Sequence, residues 1–193
     1  MSHSADLDRK VLAAVERLGR ALRAARQDVA TRHEVSLLGL SVIETLADGR
    51  PRRVGDLAAE LDVSQPTVSD AVTVLDKRGL IRRDRDPADL RSTLVALTDD
   101  GDHLAADNAT ELAPLLAAGS GTDADRATTL RVLLGEIARL QAAGVITVNR
   151  SCLSCRHYQP PGPRTRARCL LLATALADRD LRVDCPEHEP IPA

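Results

Sequence analysis

The sequence predicts a mainly α-helical fold with one small β-hairpin. Most of the 193 residues fall into segments whose apolar positions recur every three or four residues, which is the period of an amphipathic helix. One stretch after Gly79 changes to the two-residue alternation of a strand. The apolar residues make up 44% of the chain and are mainly Leu, Ala and Val, with one Tyr and no Phe or Trp. This composition supports a core and favours close-packed helices.

Residues 54–79 predict two short helices joined by a tight turn. Ser64 is a suitable N-cap for the second helix, Pro66 is tolerated in its first turn, and Gly79 ends it. The apolar residues that set the helical period are Leu57, Ala58 and Leu61 in the first helix and Val68, Ala71, Val72 and Leu75 in the second.

The opposite face of the second helix carries hydrogen-bonding side chains. Such side chains suit base edges or phosphates in a DNA major groove. Asp70 is ambiguous, because a carboxylate accepts a hydrogen bond from cytosine N4 but repels phosphate. The candidate DNA-binding residues of this helix are Ser64, Gln65, Thr67, Ser69, Asp70, Thr73 and Lys77.

Residues 80–97 predict a basic β-hairpin. Asp86 and Pro87 suit the first two positions of a type I turn at its tip, and Thr98 caps the helix that follows. From Lys77 to Arg91 six bases face three acids, although the whole chain carries a net charge of −2. A charged hairpin is often only solvated, but this one follows a helix pair suited to DNA. Its candidate DNA contacts are Arg83, Arg85 and Arg91.

The run LAAELDVSQPTVSDAVTVLDKRGLI, followed by Asp89-x-Arg91 and then by Leu97-Thr98 and Gly101, resembles the winged helix-turn-helix of the multiple-antibiotic-resistance-regulator (MarR) family. The resemblance implies a homodimeric transcriptional regulator, most often a repressor that a small-molecule effector releases from DNA. A two-fold dimer would read a pseudo-palindromic operator in double-stranded DNA. Arg91 would enter a minor groove, held by Asp86 or Asp89; the alternative is a salt bridge within the wing and no DNA contact.

The remaining helices complete the order of elements typical of that family by about residue 148. Helices are predicted over residues 7–29, 35–47, 98–118 and 122–144, with Pro114 expected to kink or end the third. The resemblance assigns the first and the last two helices to dimerisation. The predicted division is therefore 1–33 and 102–148 for the helical dimerisation region, 34–101 for the DNA-binding domain and 149–193 for a C-terminal extension.

All four cysteines lie in that extension: Cys152 and Cys155 form a Cys-x-x-Cys pair, and Cys169 and Cys185 follow at longer intervals. A segment of little more than forty residues cannot bury a core of its own, so a bound metal would supply folding energy and staple this tail. Zinc held by four thiolates is the default expectation, and an iron–sulfur cluster is the alternative because Cys185 precedes a proline. His157 and His188 are additional or substitute ligands.

Two other functions stay open at this point. The cysteine site could sense a metal or redox change and control DNA binding. Alternatively, Cys152 and Cys155 could serve a thiol oxidoreductase, although the βαβ context of that motif is missing. The sequence contains neither a phosphate-binding loop nor a nucleophile elbow, so it does not favour any other class of enzyme. The polar N-terminus and the absence of a long apolar run predict a cytoplasmic protein without a membrane partner.

Overall fold

The computed structural model describes residues 3–117 and 121–191, except for the side chains of residues 3, 4, 90, 91 and 115–117. Contacts within the chain divide it into two compact units, Met1–Ala118 and Gly119–Ala193. The first unit contains the helices α1 (His3–Arg32), α2 (Leu37–Leu46), α3 (Val54–Glu60), α4 (Gln65–Lys77) and α5 (Asp99–Ala117), and the strands β1 (Arg52–Arg53), β2 (Ile81–Asp86) and β3 (Asp89–Leu97).

A buried apolar layer joins α2 to α3, α4 and the hairpin. The helix α2 is capped by Ser36, whose hydroxyl accepts a hydrogen bond from the Gly39 N–H at 2.9 Å. The helical period places one face of each helix inward, as the sequence predicts. Fully buried members of this layer are Leu40, Val42, Ile43, Leu46, Leu57, Val68, Val72, Leu75 and Val95.

The hairpin is part of a three-stranded antiparallel sheet with the order β1-β3-β2. The strands β2 and β3 confirm the predicted hairpin, with Ile81 paired to Leu97 and Arg83 to Val95. The strand β1 was not predicted, because two consecutive arginines after a proline show no apolar alternation. It pairs Arg52 with Val95, and Arg52 is itself buried between Asp48 at 2.7 Å and Glu60 at 3.0 Å.

The helix α5 begins where the sequence predicts but continues past Pro114 to Ala117. Proline removes one backbone hydrogen bond from the helix, and here the loss falls in the last turns. The helix start lies against the end of α4: the Thr98 hydroxyl donates to the Gly79 carbonyl at 2.6 Å. Gly101 lies so close to Leu80 that a Cβ at this position would be 2.1 Å from the Leu80 carbonyl oxygen.

The helix α1 carries an apolar seam that the first unit covers only at one end. Val29 and Ala30 are buried, whereas Leu7, Val11 and Val15 are 60%, 54% and 49% exposed. The intervals of three and four residues between the seam positions persist along the helix. About half of the seam therefore lacks a partner within the described part of its own unit.

The second unit combines α6 (Asp123–Ala142) with the cysteine segment. Thr122 and Asp125 form the capping box at the start of α6, and Leu134 is its fully buried side chain. The segment adds short 3-10 turns at Cys152–Ser154 and Asp178–Asp180 and the strands β4 (Tyr158–Gln159), β5 (Arg168–Cys169) and β6 (Thr174–Ala175), which form an antiparallel sheet.

Contacts hold the cysteine segment to α6. Both 3-10 turns contact the helix, Arg131 forms an ion pair with Asp178 at 2.9 Å, and the Asn149 side chain donates to Gln141 at 3.2 Å. The sequence grouped α6 with the dimerisation region instead. The two groupings concern different contacts, those within one chain and those between two copies, so the predicted domain boundaries stay a prediction.

None of the helices in the described residues is both long enough and apolar enough to cross a membrane.

The close approach at Gly101 generates a stability prediction. We expect Gly101→Ala to lower the free energy of unfolding by about 1–3 kcal/mol, because the new methyl group overlaps a backbone carbonyl that cannot rotate away. Gly19→Ala is the matched control, since a Cβ there has no neighbour within 4 Å and alanine favours a helix interior by up to about 1 kcal/mol. Urea denaturation at one fixed protein concentration measures both. Equal stability of the two variants would contradict the prediction.

Candidate functional site

The outer face of α4 presents the polar side chains that the sequence selected. The Ser64 hydroxyl caps the helix by accepting from the Thr67 N–H at 3.4 Å. Gln65, Thr67 and Asp70 are exposed, and Ser69 is half-buried. Because Val68, Val72 and Leu75 occupy the inward face, these side chains are directed away from the core. Gln65 and Ser69 also line a cleft together with residues of β1, α3 and the hairpin.

Thr73 and Arg83, both predicted to contact DNA, contact each other. The Thr73 hydroxyl donates to the Ser69 carbonyl at 2.8 Å and accepts from the Arg83 guanidinium at 2.9 Å. Arg83 also forms an ion pair with Asp76 at 3.2 Å. These bonds connect β2 to α4, and they fix where the hairpin lies relative to the helix. The sequence missed Asp76, because nothing local connects it to a residue seven positions further along.

The tip of the hairpin is held by Asp86 rather than left open. Asp86 is buried and accepts from the Ala88 N–H at 2.8 Å and from the Arg53 guanidinium at 2.8 Å. The hydrogen bond from Ala88 and then that from Arg53 hold the pKa of the Asp86 carboxyl below its usual range. The sequence proposed Asp86 or Asp89 as the residue that holds Arg91. The structure gives Asp86 a different guanidinium, and the Arg91 side chain lies outside the described residues.

The positive charges near the hairpin divide into two groups. Arg78 donates to the His33 carbonyl at 2.8 Å, Arg82 forms an ion pair with Asp84, and Arg83 is held as described. Lys77 and Arg85 are exposed, and neither has a hydrogen-bond or ion-pair partner among the described residues. These two side chains can therefore reach a phosphate without breaking an internal contact.

The four cysteines of the second unit line one cavity. All four are free thiols, although they come from separate parts of the segment. Backbone hydrogen bonds bring these parts together: the Cys152 N–H donates to the Arg182 carbonyl at 3.1 Å, and the Cys185 N–H donates to the Arg150 carbonyl at 3.0 Å. Strand pairing places Cys169 opposite Tyr158. The remaining lining residues are His157, Tyr158, Leu171, Leu172, Leu176 and Glu187.

Arg182 supplies hydrogen bonds to two of the sulfurs. Its backbone N–H donates to the Cys152 Sγ at 3.2 Å, and its guanidinium donates to the Cys185 Sγ at 3.6 Å. Burial raises the pKa of the Cys152 thiol, whereas the bond from Arg182 acts in the opposite direction. The sequence missed Arg182, because its position beside the thiols depends on how the segment folds back onto Cys152.

The two candidate substitute ligands lie beside other polar groups. His157 lines the cavity, and its buried Nε2 lies 3.1 Å from a carboxylate oxygen of Glu189 but forms no well-aligned hydrogen bond in the described part of the chain. The Nε2 of His188 lies 3.0 Å from the Ser154 hydroxyl. In the described residues no three Cys, His, Asp or Glu side chains converge closely enough to ligate a single ion.

Residues 35–92 match the model of the MarR family, which covers α2, α3, α4 and most of the hairpin. The solved structure of a MarR family transcription regulator aligns with this chain over 73% of this chain and 94% of its own, with 23% identity and a TM-score of 0.62. A MarR regulator from Methanosarcina mazei Go1 matches 69% and 99%, with 20% identity and a TM-score of 0.59.

The structure of CouR from Rhodococcus jostii RHA1, solved bound to p-coumaroyl-CoA, matches 64% of this chain and 88% of its own length, with 22% identity and a TM-score of 0.54. No curated protein matches the sequence. At these identities the structural likenesses establish a common fold, that of the MarR regulators, and the family model identifies a MarR family domain over residues 35–92.

Proposed function

We propose that this chain, which carries a MarR family domain, is a transcriptional regulator that binds double-stranded DNA as a homodimer. The observation that carries the proposal is the exposed polar face of α4, beside a hairpin that bears the exposed Arg85 near its tip. A helix of this kind enters the major groove, while a basic hairpin reaches the neighbouring backbone. The net charge of −2 is compatible with binding, because the phosphates would meet the exposed Lys77 and Arg85 rather than the average charge of the chain.

We propose different tasks for the candidate residues. Gln65 and Ser69 would contact base edges, a role supported by their position on the outer face of α4 and in the cleft beside it. Lys77, Arg85 and Arg91 would neutralise phosphates. Thr73 and Arg83 would act as positioning residues, because their hydrogen bond joins α4 to β2. Asp70 would either accept a hydrogen bond from a cytosine or make no base contact.

Dimerisation is proposed through the seam of α1. Four residues of this seam are each about half exposed or more: Leu7, Val11, Val15 and Leu18. A second copy of the chain would present an identical seam, whose apolar positions have the matching spacing for helix packing. The resemblance to the MarR family also assigns α6 to dimerisation, and Leu133 of this helix is 44% exposed. A two-fold arrangement would place two copies of α4 one helical turn apart on DNA, so the operator would be pseudo-palindromic.

Repression that is relieved by a small molecule is the mode of regulation we propose for this dimer. The structure of CouR, which shares the fold, was solved with p-coumaroyl-CoA bound. A ligand would act by favouring a dimer whose two copies of α4 no longer fit successive major grooves.

A second candidate function places the sensor at the cysteines. The observation that favours it is the packing of the cysteine segment on α6 through Asp178 and Asn149. Because α6 is also proposed to extend the dimer interface, a change in metal or redox state at the thiols would reach that interface through a single helix. DNA binding would then depend on the state of the cysteines.

The division of tasks on the DNA-binding surface predicts two different mutant behaviours. Arg85→Ala should weaken binding to every duplex and reduce the slope of log K against log salt by about 1, since one phosphate contact is lost. Gln65→Ala should instead change the preference between operator variants, by roughly 1–3 kcal/mol if a base contact is lost. Fluorescence anisotropy with the DNA upstream of its own gene and with a scrambled duplex measures both.

Arg164→Ala is the matched control for Arg85→Ala, because it removes an exposed arginine from the second unit and should leave both measurements unchanged. If Arg85→Ala and Gln65→Ala affected the two duplexes in the same proportion, the proposed assignment would be wrong.

The exposed seam of α1 predicts the oligomeric state. The wild-type chain should have twice the mass of one chain in light scattering, and Val15→Glu should shift it towards the monomer, because a charge would be buried in an apolar interface. Ala13→Glu introduces the same charge on the opposite, exposed face of α1 and should stay dimeric. A monomeric wild-type protein that still binds DNA tightly would refute the dimer proposal.

The second candidate function predicts that the cysteine site controls operator binding. Chelation or oxidation should weaken operator affinity at least tenfold, and the double variant Cys152→Ser, Cys155→Ser should bind like the treated protein and not respond further. Leu170→Ser, an exposed position in the same segment, should respond as the wild type does. Unchanged operator binding by the double variant would exclude sensing at this site and leave the DNA-binding proposal intact.

A further inference from the structure

The cysteine cavity of the second unit has a definite shape and chemistry. Its volume is about 20 Å³, more than the roughly 10–15 Å³ that a bound water needs. A water molecule also needs two to four polar partners, and thiols are weak ones. The sulfur atoms are instead the softest ligands that a protein offers, and they select thiophilic metals.

The space between the thiols distinguishes the two metal centres that four cysteines usually hold. In a zinc site each sulfur lies about 2.3 Å from the ion, so the sulfurs lie roughly 3.8 Å apart, touch one another and enclose no space. An iron–sulfur cluster places irons and sulfides between the cysteines, so its ligands surround a space. In this structure Cys152, Cys155, Cys169 and Cys185 all line one cavity, yet among the described residues no three of these side chains come close enough together to ligate a single ion.

The surroundings of the cavity match the needs of such a cluster. The half-buried Leu176 and Tyr158 give the cavity an apolar side, and apolar neighbours of this kind tune a metal centre; Leu171 and Leu172 also line the cavity but are 48% and 49% exposed. The two hydrogen bonds from Arg182 reach Cys152 and Cys185, and bonds of this kind stabilise thiolate ligands and tune a cluster. The Arg182 guanidinium also offsets part of the negative charge that four thiolates bring.

We propose that Cys152, Cys155, Cys169 and Cys185 together ligate an iron–sulfur cluster. Four thiols lose their protons as four iron–sulfur bonds form, and no further oxidant or reductant is needed when the assembled cluster is transferred to the chain. Because the four cysteines complete the ligand set, His157 and His188 are not needed as ligands, and the Nε2 of His188 lies 3.0 Å from the Ser154 hydroxyl. The proposal does not rest on DNA binding, so it can fail while the proposed DNA-binding function holds.

The test uses the full chain purified without oxygen. Iron and acid-labile sulfide should be present in equal amounts, at two or four of each per chain, with broad visible absorption. Cys169→Ala should lose at least nine-tenths of the iron. Leu170→Ala is the matched control: its side chain is 56% exposed and is not part of the cavity wall, and this variant should keep its iron. Circular dichroism checks that both variants fold.

Three results would overturn the proposal. These are a colourless protein with one zinc per chain, a protein that binds no metal even after incubation with ferrous iron and sulfide under reducing conditions, and a folded Cys169→Ala variant that keeps its iron. If Cys169→Ala does not fold, the wild-type iron, sulfide and zinc contents still decide the question, because they need no variant.

Discussion

The apolar layer between α2 and α4 is the constraint on which the candidate DNA-binding surface depends. Val68, Val72 and Leu75 are fully buried on the inner face of α4, and each contributes about 1.5–3 kcal/mol by leaving water. Any rotation of α4 that turned Gln65 inward would expose this face, so the free energy of the core fixes the orientation of the polar face. The buried residues of α4, which would not contact DNA, thus determine which polar side chains of this helix face outward.

The arginines of the first unit show how a chain with net negative charge can present a basic surface. Arg52, Arg53 and Arg78 hold backbone or carboxylate partners of the fold, and they contribute little free charge. Arg85 and Lys77 are exposed at the hairpin and at the end of α4. A count of bases along the sequence therefore overestimates the charge available to DNA, because it does not separate cations that build the surface from cations that it presents.

The parts of the structure that follow from neighbouring residues could be predicted from the sequence. The cap at Ser64, the period of α4 and the turn at Asp86 are each determined within a few positions along the chain. The strand β1, the bond between Arg53 and Asp86 and the burial of Leu134 depend on pairings between distant segments, and a single sequence gives no signal of which distant segments meet. The same limit applied to the cysteines: their spacing predicted a metal site, but only the folded segment shows the space between them.

The second unit illustrates why a short cysteine segment benefits from a helix as its support. Segments of about forty residues bury too little apolar surface to offset the loss of conformational entropy. The helix α6 supplies a preformed face, with Leu134 buried and with Arg131 and Gln141 as polar anchors. Ligation of the four thiols would add the remaining free energy, since it links parts of the segment that are otherwise joined by a few backbone hydrogen bonds. A loss of the metal centre would therefore first loosen the contacts that the segment makes with α6, which is the physical step that sensing at this site requires.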